Sequence, residues 1–189
     1  MANDITPSTS QSDSEGLRAR LRGELLDPSH PTYDATRIIW NGMIDRRPAF
    51  IVRCRNAADV AASVNFARDH RFAIAIRSGG HNVAGYATCE AGIMIDLSLM
   101  NGVRVLPPLD RVIVEGGATW ADVDAATTPF GQATPGGLIS ATGVAGLTLS
   151  GGIGWLRGSH GLCCDNLMSA DLVTAEGKLV HAKIGRAHV

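Results

Sequence analysis

The spacing of apolar positions changes several times along the chain, and each change predicts an element. Leu17, Leu21 and Leu25 recur every fourth residue, Ser12 and Glu15 have capping-box spacing, and Pro28 stops the pattern. That predicts a first helix on the outside of the core, after a polar, disordered start over about 1–14. The short apolar run 49–53 reads as a strand, and Asn56 caps a helix over 57–70 whose buried stripe is Val60, Val64 and Ala67. Residues 73–77 form the next strand and lead straight into Ser78, Gly79, Gly80, His81 and Asn82. Short strands follow over 93–96, 103–106 and 112–115, with turns at Asn101-Gly102 and Pro107-Pro108. Thr119 caps a helix over 120–127. From 131 to 158 glycine takes over, at a density costly in an ordinary helix or strand. A strand over 168–174, a turn at Glu176-Gly177 and a partner strand over 179–181 complete the pattern.

Composition narrows the function. With 189 residues the chain holds one domain or two small subdomains. Seventeen basic against 18 acidic side chains, without blocks of like charge, argue against electrostatic binding to nucleic acid or a membrane surface. Runs such as 93–95 and 147–149 fall far short of the ~20 apolar residues that cross a bilayer. The start, 1–15, lacks the basic flank and apolar centre of a secretory signal, and the cytoplasm is the expected location. Cys54, Cys89, Cys163 and Cys164 do not make a spaced disulfide framework, so reduced thiols are expected.

The 22 glycines carry the chemical signal. Two glycine-rich segments, one directly after a strand, suggest a ligand whose phosphates are held by backbone N–H groups. The common nucleotide motifs are absent: Arg157 stands where a dinucleotide fingerprint after Gly152-Ile153-Gly154 needs glycine, and no P-loop is present. His81 sits where side-chain-free neighbours let a planar ring approach, and a histidine there can act as a nucleophile. His160, Cys163 and Cys164 lack the second ligand pair of a metal site, and neither thiol has an orienting partner for hydrolysis; no metal is expected, and buried small hydrophobes are the better reading.

In order, the chain contains Arg77-Ser78-Gly79-Gly80-His81-Asn82, Ile95-Asp96-Leu97-Ser98, Gly117-Ala118-Thr119-Trp120, the run from Gly143-Val144-Ala145-Gly146 to Gly151-Gly152-Ile153-Gly154-Trp155, and Gly161 through Asn166. Together these resemble the FAD-linked oxidases of the vanillyl-alcohol oxidase and p-cresol methylhydroxylase superfamily, in particular the berberine-bridge-like branch. The resemblance covers about 37–181. It implies an α+β fold, an FAD-binding domain of two packed subdomains occupying 31–183, after a polar tail and first helix over 1–30, and incomplete at its C-terminus.

The same resemblance implies a set of FAD contacts. Arg77, Ser78, Gly79, Gly80, His81 and Asn82 match the loop around the pyrophosphate, with His81 the residue bonded to the 8-methyl carbon of the flavin. Gly143, Val144, Gly146, Gly151, Gly152 and Gly154 match the second loop, and Asp165, Asn166 and Val173 the stretch that closes over the cofactor. Relatives with a doubly linked flavin carry a cysteine where this chain has Ile139, so a single histidyl bond is expected.

The implied reaction is hydride removal from a carbon bearing a hydroxyl or amine of a small-molecule substrate, with molecular oxygen as acceptor. The catalytic base is expected outside this chain. A reductase of the same fold, with noncovalent FAD and NADPH, remains open, as does an inactive flavin-binding fragment; His81 discriminates against the reductase. The ending 184–189 departs from the family pattern and reads as sequencing adapter, ATC-GGA-AGA-GCA-CAC-GTC, followed by a stop. The expectation is that 184–189 are not native and that the chain alone has no turnover.

Overall fold

A computed structural model describes residues 9–183; the expectations for 184–189 and for the first eight residues of the tail lie outside the described residues. The described chain is α+β and divides into two compact units, one made of residues 9–77 with Asn82–Asp96 and Leu172–Val180, the other of Ser78–His81, Leu97–Asp171 and 181–183.

The first unit is built on a four-stranded sheet in the order β1 (Glu24–Leu26), β2 (Phe50–Arg53), β4 (Ile93–Asp96), β3 (Ile74–Arg77). β1 runs antiparallel to β2, whereas β2 and β3 both run parallel to β4. Parallel neighbours need a crossover, and α3 (Ala57–Asp69) leads from β2 to β3, its first turn capped by the Asn56 side chain on the Asp59 N–H. β4 is central, and all four of its residues are buried, the continuous burial expected of a strand covered on both faces. Leu26, Tyr33, Ile51 and Met94 form one core cluster. Tyr33 opens the short helix α2 (Tyr33–Arg37) and donates its hydroxyl to the Pro48 carbonyl.

Three expectations are corrected here. α1 spans only Gln11–Arg18, capped by Ser10 and Asp13 rather than by Ser12 and Glu15, and Leu25 lies in β1. The sheet thus begins ahead of residue 31. Its cause is close packing at Gly23, where a Cβ would overlap the Arg53 carbonyl, together with the hold of Asp59 on the Gly23 N–H. On α3 the buried residues are Asp59, Ser63, Val64 and Ala67, with Val60 only half-buried.

In the second unit, β5 (Val103–Leu106) and β6 (Arg111–Val114) form an antiparallel pair with Val103 opposite Val114. α4 (Trp120–Thr127) starts at a capping box in which Asp122 accepts the Thr119 N–H and hydroxyl. Trp120, Val123 and Cys163 make the core, with Val103, Val114, Val144 and Leu147 packed on it. The glycine-dense stretch contains two helices that the glycine content argued against, α5 (Val144–Leu149) and α6 (Arg157–His160). β7 (Ser169–Val173) and β8 (Leu179–Lys183), of which Leu172–Val173 and Leu179–Val180 are counted with the first unit, pair as a separate two-stranded sheet. Among the described residues no helix is long and apolar enough to cross a membrane.

Candidate functional site

The three parallel strands of the first unit end in one cross-strand row. Register places Asp96 at the end of β4 between Arg53 on β2 and Arg77 on β3. Asp96 is fully buried, and Arg77 grips it as a fork: Nε donates to Oδ1 at 3.0 Å and Nη2 to Oδ2 at 2.6 Å. Arg77 Nη1 donates to the Thr36 carbonyl at 2.5 Å and the Ile38 carbonyl at 3.3 Å. Arg53 supplies a second cation, Nε at 3.6 Å from Asp96 Oδ2, while its Nη1 reaches Glu24 at 3.1 Å. Two charges taken from water need this degree of pairing, and removal of one partner from such a buried pair costs on the order of 3–5 kcal/mol.

Ser78 to His81 follow Arg77 directly and belong to the second unit. There the backbones of Gly79 and Gly143 meet. A Cβ on Gly79 would overlap the Gly143 nitrogen, and one on Gly143 would lie 2.7 Å from the Ser78 Oγ, so both positions require glycine. Gly143 is held from its other side by an antiparallel bridge to Thr119, by Val144 N–H to the Ala118 carbonyl at 2.9 Å and by Trp120 N–H to the Thr142 carbonyl at 3.1 Å. The two glycine segments are therefore clasped together. Gly80 is buried, His81 half-buried.

The later segment docks on the same unit. Cys163 and Cys164 donate their N–H groups to the Gly152 and Gly151 carbonyls, both at 2.9 Å. Asp165 accepts the Leu162 N–H at 2.8 Å, and Asn166 donates to the His160 and Leu162 carbonyls at 2.8 and 2.9 Å, so both side chains shape this loop. Gly154 packs on the Gly136 carbonyl, where a Cβ would collide. Gly146 lies within α5, exposed, with open space where a Cβ would project. Cys163 is buried and 3.1 Å from Thr148 Oγ1, and burial pushes its thiol up, as suits a small core residue. Ile139 is exposed.

The structure thus brings Ser78, Gly79, Gly143 and Val144 together, and Gly151 and Gly152 with the loop of Asp165 and Asn166. Arg77, Asn82 and Val173 belong to the first unit, where Asn82 Oδ1 accepts the Tyr86 N–H at 3.0 Å and Val173 is half-buried in β7. Asp96 and Gly136 were absent from the expected site. The motif Ile95-Asp96-Leu97-Ser98 was visible, but only strand register shows what Asp96 faces.

The second unit offers what a phosphate-bearing ligand needs. Ser78 Oγ is buried and has no hydrogen-bond partner among the described residues, beside the closely packed backbones of Gly79 and Gly143. Buried hydroxyls are nearly always satisfied. A ligand oxygen would satisfy this one, and the residues fit a dinucleotide.

Comparison with known proteins names the ligand. Residues 48–183 match the FAD binding domain family, and the chain belongs to it, with FAD as the cofactor. It is similar to the (R)-6-hydroxynicotine oxidase of Paenarthrobacter nicotinovorans, 40% identical over 161 residues, which are 85% of this chain and 35% of that protein. The crystal structure of 6-hydroxy-D-nicotine oxidase from Arthrobacter nicotinovorans superposes with a TM-score of 0.85 at 40% identity, covering 86% of this chain and 36% of the other. BBE-like 1 of Physcomitrella patens shares the fold, with a TM-score of 0.85 at 23% identity over 92% of this chain and 38% of its own. The resemblance to FAD-linked oxidases therefore holds, and the relatives it matches are oxidases and FAD-linked oxidoreductases. It spans little more than a third of the length of these relatives.

Proposed function

We propose that this chain is the FAD-binding part of a flavin oxidase that removes hydride from a substrate carbon bearing an amine or a hydroxyl, with FAD bound covalently through His81 and molecular oxygen as the electron acceptor. The observation that carries this reading is the position of His81, two residues after Gly79, whose backbone is clasped to Gly143, in a chain of the FAD binding domain family. FAD, when bound, supplies a two-electron acceptor for the hydride.

The chain's own residues hold and orient. Ser78, Gly79 and Gly80 hold the pyrophosphate by hydroxyl and backbone, and Gly143, Val144 and Gly146 carry the second segment. Gly151, Gly152 and Gly154, with Asp165 and Asn166, complete the set within the second unit. His81 would hold the flavin through a bond from a ring nitrogen to its 8-methyl carbon, whose formation would release one methyl hydrogen and the imidazole N–H as two protons and two electrons to molecular oxygen, and such a tether would raise the reduction potential. Similarity to a hydroxynicotine oxidase favours the amine-bearing carbon. The four described cysteines are all free, which supports a reducing compartment, the cytoplasm.

Acid precipitation of the purified protein tests the tether. Yellow colour should pellet with the polypeptide and, in His81→Ala, stay in the supernatant. Colour released from the parent protein, or retained in the His81→Ala pellet, would overturn the assignment.

A further inference from the structure

We propose that Asp96 and Arg77 form a positioning clamp that fixes where the chain leaves β3 for the glycine loop, and that Arg77 acts through this clamp and not as a ligand of the FAD pyrophosphate. The proposal rests on the reading of Ser78 to His81 as a phosphate-holding loop.

The hydrogen-bond inventory of the guanidinium carries the argument. Arginine has five N–H donors in a rigid fork. In Arg77 one from Nε and one from Nη2 go to the two oxygens of Asp96, and Nη1 serves the Thr36 and Ile38 carbonyls. One N–H remains, on the nitrogen bound most closely to Asp96. The charge is also committed, since Asp96 is fully buried and Arg77 is its shortest ion pair. A guanidinium so engaged cannot turn to a diphosphate without abandoning a buried carboxylate.

What the clamp does follows from sequence position. Arg77 is the last residue of β3, and Ser78 is the first of the glycine segment. Glycine loses more conformational freedom on ordering than any other residue, so a loop of Gly79 and Gly80 depends on a fixed entry. A bidentate fork on the rigid central strand supplies both position and direction. This assigns a role to the Ile95-Asp96-Leu97-Ser98 motif: Asp96 is the counter-charge that locates the loop.

Two measurements test the clamp on the full chain. The first, without flavin, is the NMR order parameter of the Gly79 and Gly80 amides. It should be near the rigid value of about 0.85 in the parent and fall below about 0.6 in Arg77→Lys and in Asp96→Asn, while Ala75 and Met94 stay rigid. Arg77→Lys keeps the charge and so remains informative if Asp96→Asn does not fold. The second is FAD titration in the His81→Ala background, where binding is reversible. Each variant should weaken binding at least tenfold, and the double variant no further than the worse single one, because both act through one contact.

A loop already flexible in the parent, or unchanged in folded variants, would overturn the clamp. So would tighter FAD binding in Asp96→Asn, the result expected if release of Arg77 freed a phosphate ligand. If the parent binds no FAD yet the variants still loosen Gly79 and Gly80, the clamp stands and the flavin reading falls.

Discussion

Asp59 accepts the backbone N–H of Gly23 at 3.0 Å across 36 residues of sequence. Its carboxylate also accepts the N–H groups of Arg22 and Arg55, both at 2.9 Å, and is 1% exposed. One side chain on α3 thereby fixes the entry to β1 and the exit from β2. Hydrogen bonds to a charged acceptor contribute about 1.5–3 kcal/mol each, and buried donors left unpaired add a desolvation cost. Asp59→Ala should therefore destabilise the protein by about 3–5 kcal/mol, below the simple sum because the Arg22 end can be rehydrated. The check is a urea titration, in which the midpoint should fall with the slope unchanged; a shift corresponding to less than about 1 kcal/mol would contradict the assignment.

The same contact explains where sequence reading succeeded and where it did not. α3 and α4 were legible because Asn56 and Thr119 lie next to the helices they cap. β2, β3 and β4 were legible as apolar runs. The first helix was overextended because the Leu17, Leu21, Leu25 spacing continues past Arg18, where α1 ends, and the turn into β1 at Gly23 is held by a carboxylate more than thirty residues away. β1 is defined only by pairing with β2, a long-range fact. α5 was missed because glycine content outweighs local pattern, although Trp120, Val144 and Leu147 share a core. The glycine loops and His81 were readable as a motif. The Arg53, Asp96, Arg77 row was not, because it exists only once three strands are in register.

Cys54 predicts a specific alkaline instability. Burial, the largest cause, pushes its thiol from 9.0 up to about 12, with the nearby Asp59 charge adding to the effect. The unfolded chain releases this proton near the ordinary thiol pKa, whereas the folded protein keeps it until much higher pH. The folded state thus binds more protons in that window, and stability must fall as pH rises. The contribution is complete below pH 9 and is lost between about 9 and 12. Within that range the slope from this group reaches about 1.4 kcal/mol per pH unit. Cys54→Ala, though less stable at pH 7 for lack of its sulfur, should show a shallower decline than the parent in urea midpoints measured from pH 8 to 10.5. Parallel pH profiles for the two proteins would contradict the assignment.

Gly143 and Gly146, three residues apart, predict opposite outcomes for the same substitution. At Gly143 a Cβ would meet the Gly79 backbone and the Ser78 hydroxyl, and backbone cannot swing aside as a flexible side chain can. Gly143→Ala should cost about 1–3 kcal/mol of overpacking, with FAD binding lost as the clasp to Gly79 opens. At Gly146 nothing lies within 4 Å of an added Cβ, and the residue sits within α5. Alanine there should stabilise the flavin-free protein by about 0.5–1 kcal/mol through its better helix propensity. Nothing in the described chain requires glycine at 146, so its purpose on the proposed reading is to leave room for the cofactor. Gly146→Ala should accordingly weaken FAD binding while raising the melting temperature of the flavin-free protein. Thermal melts with and without FAD separate the two effects: a variant that is stabilised equally in both conditions would remove Gly146 from the site, and one destabilised without FAD would show that the chain itself needs the glycine.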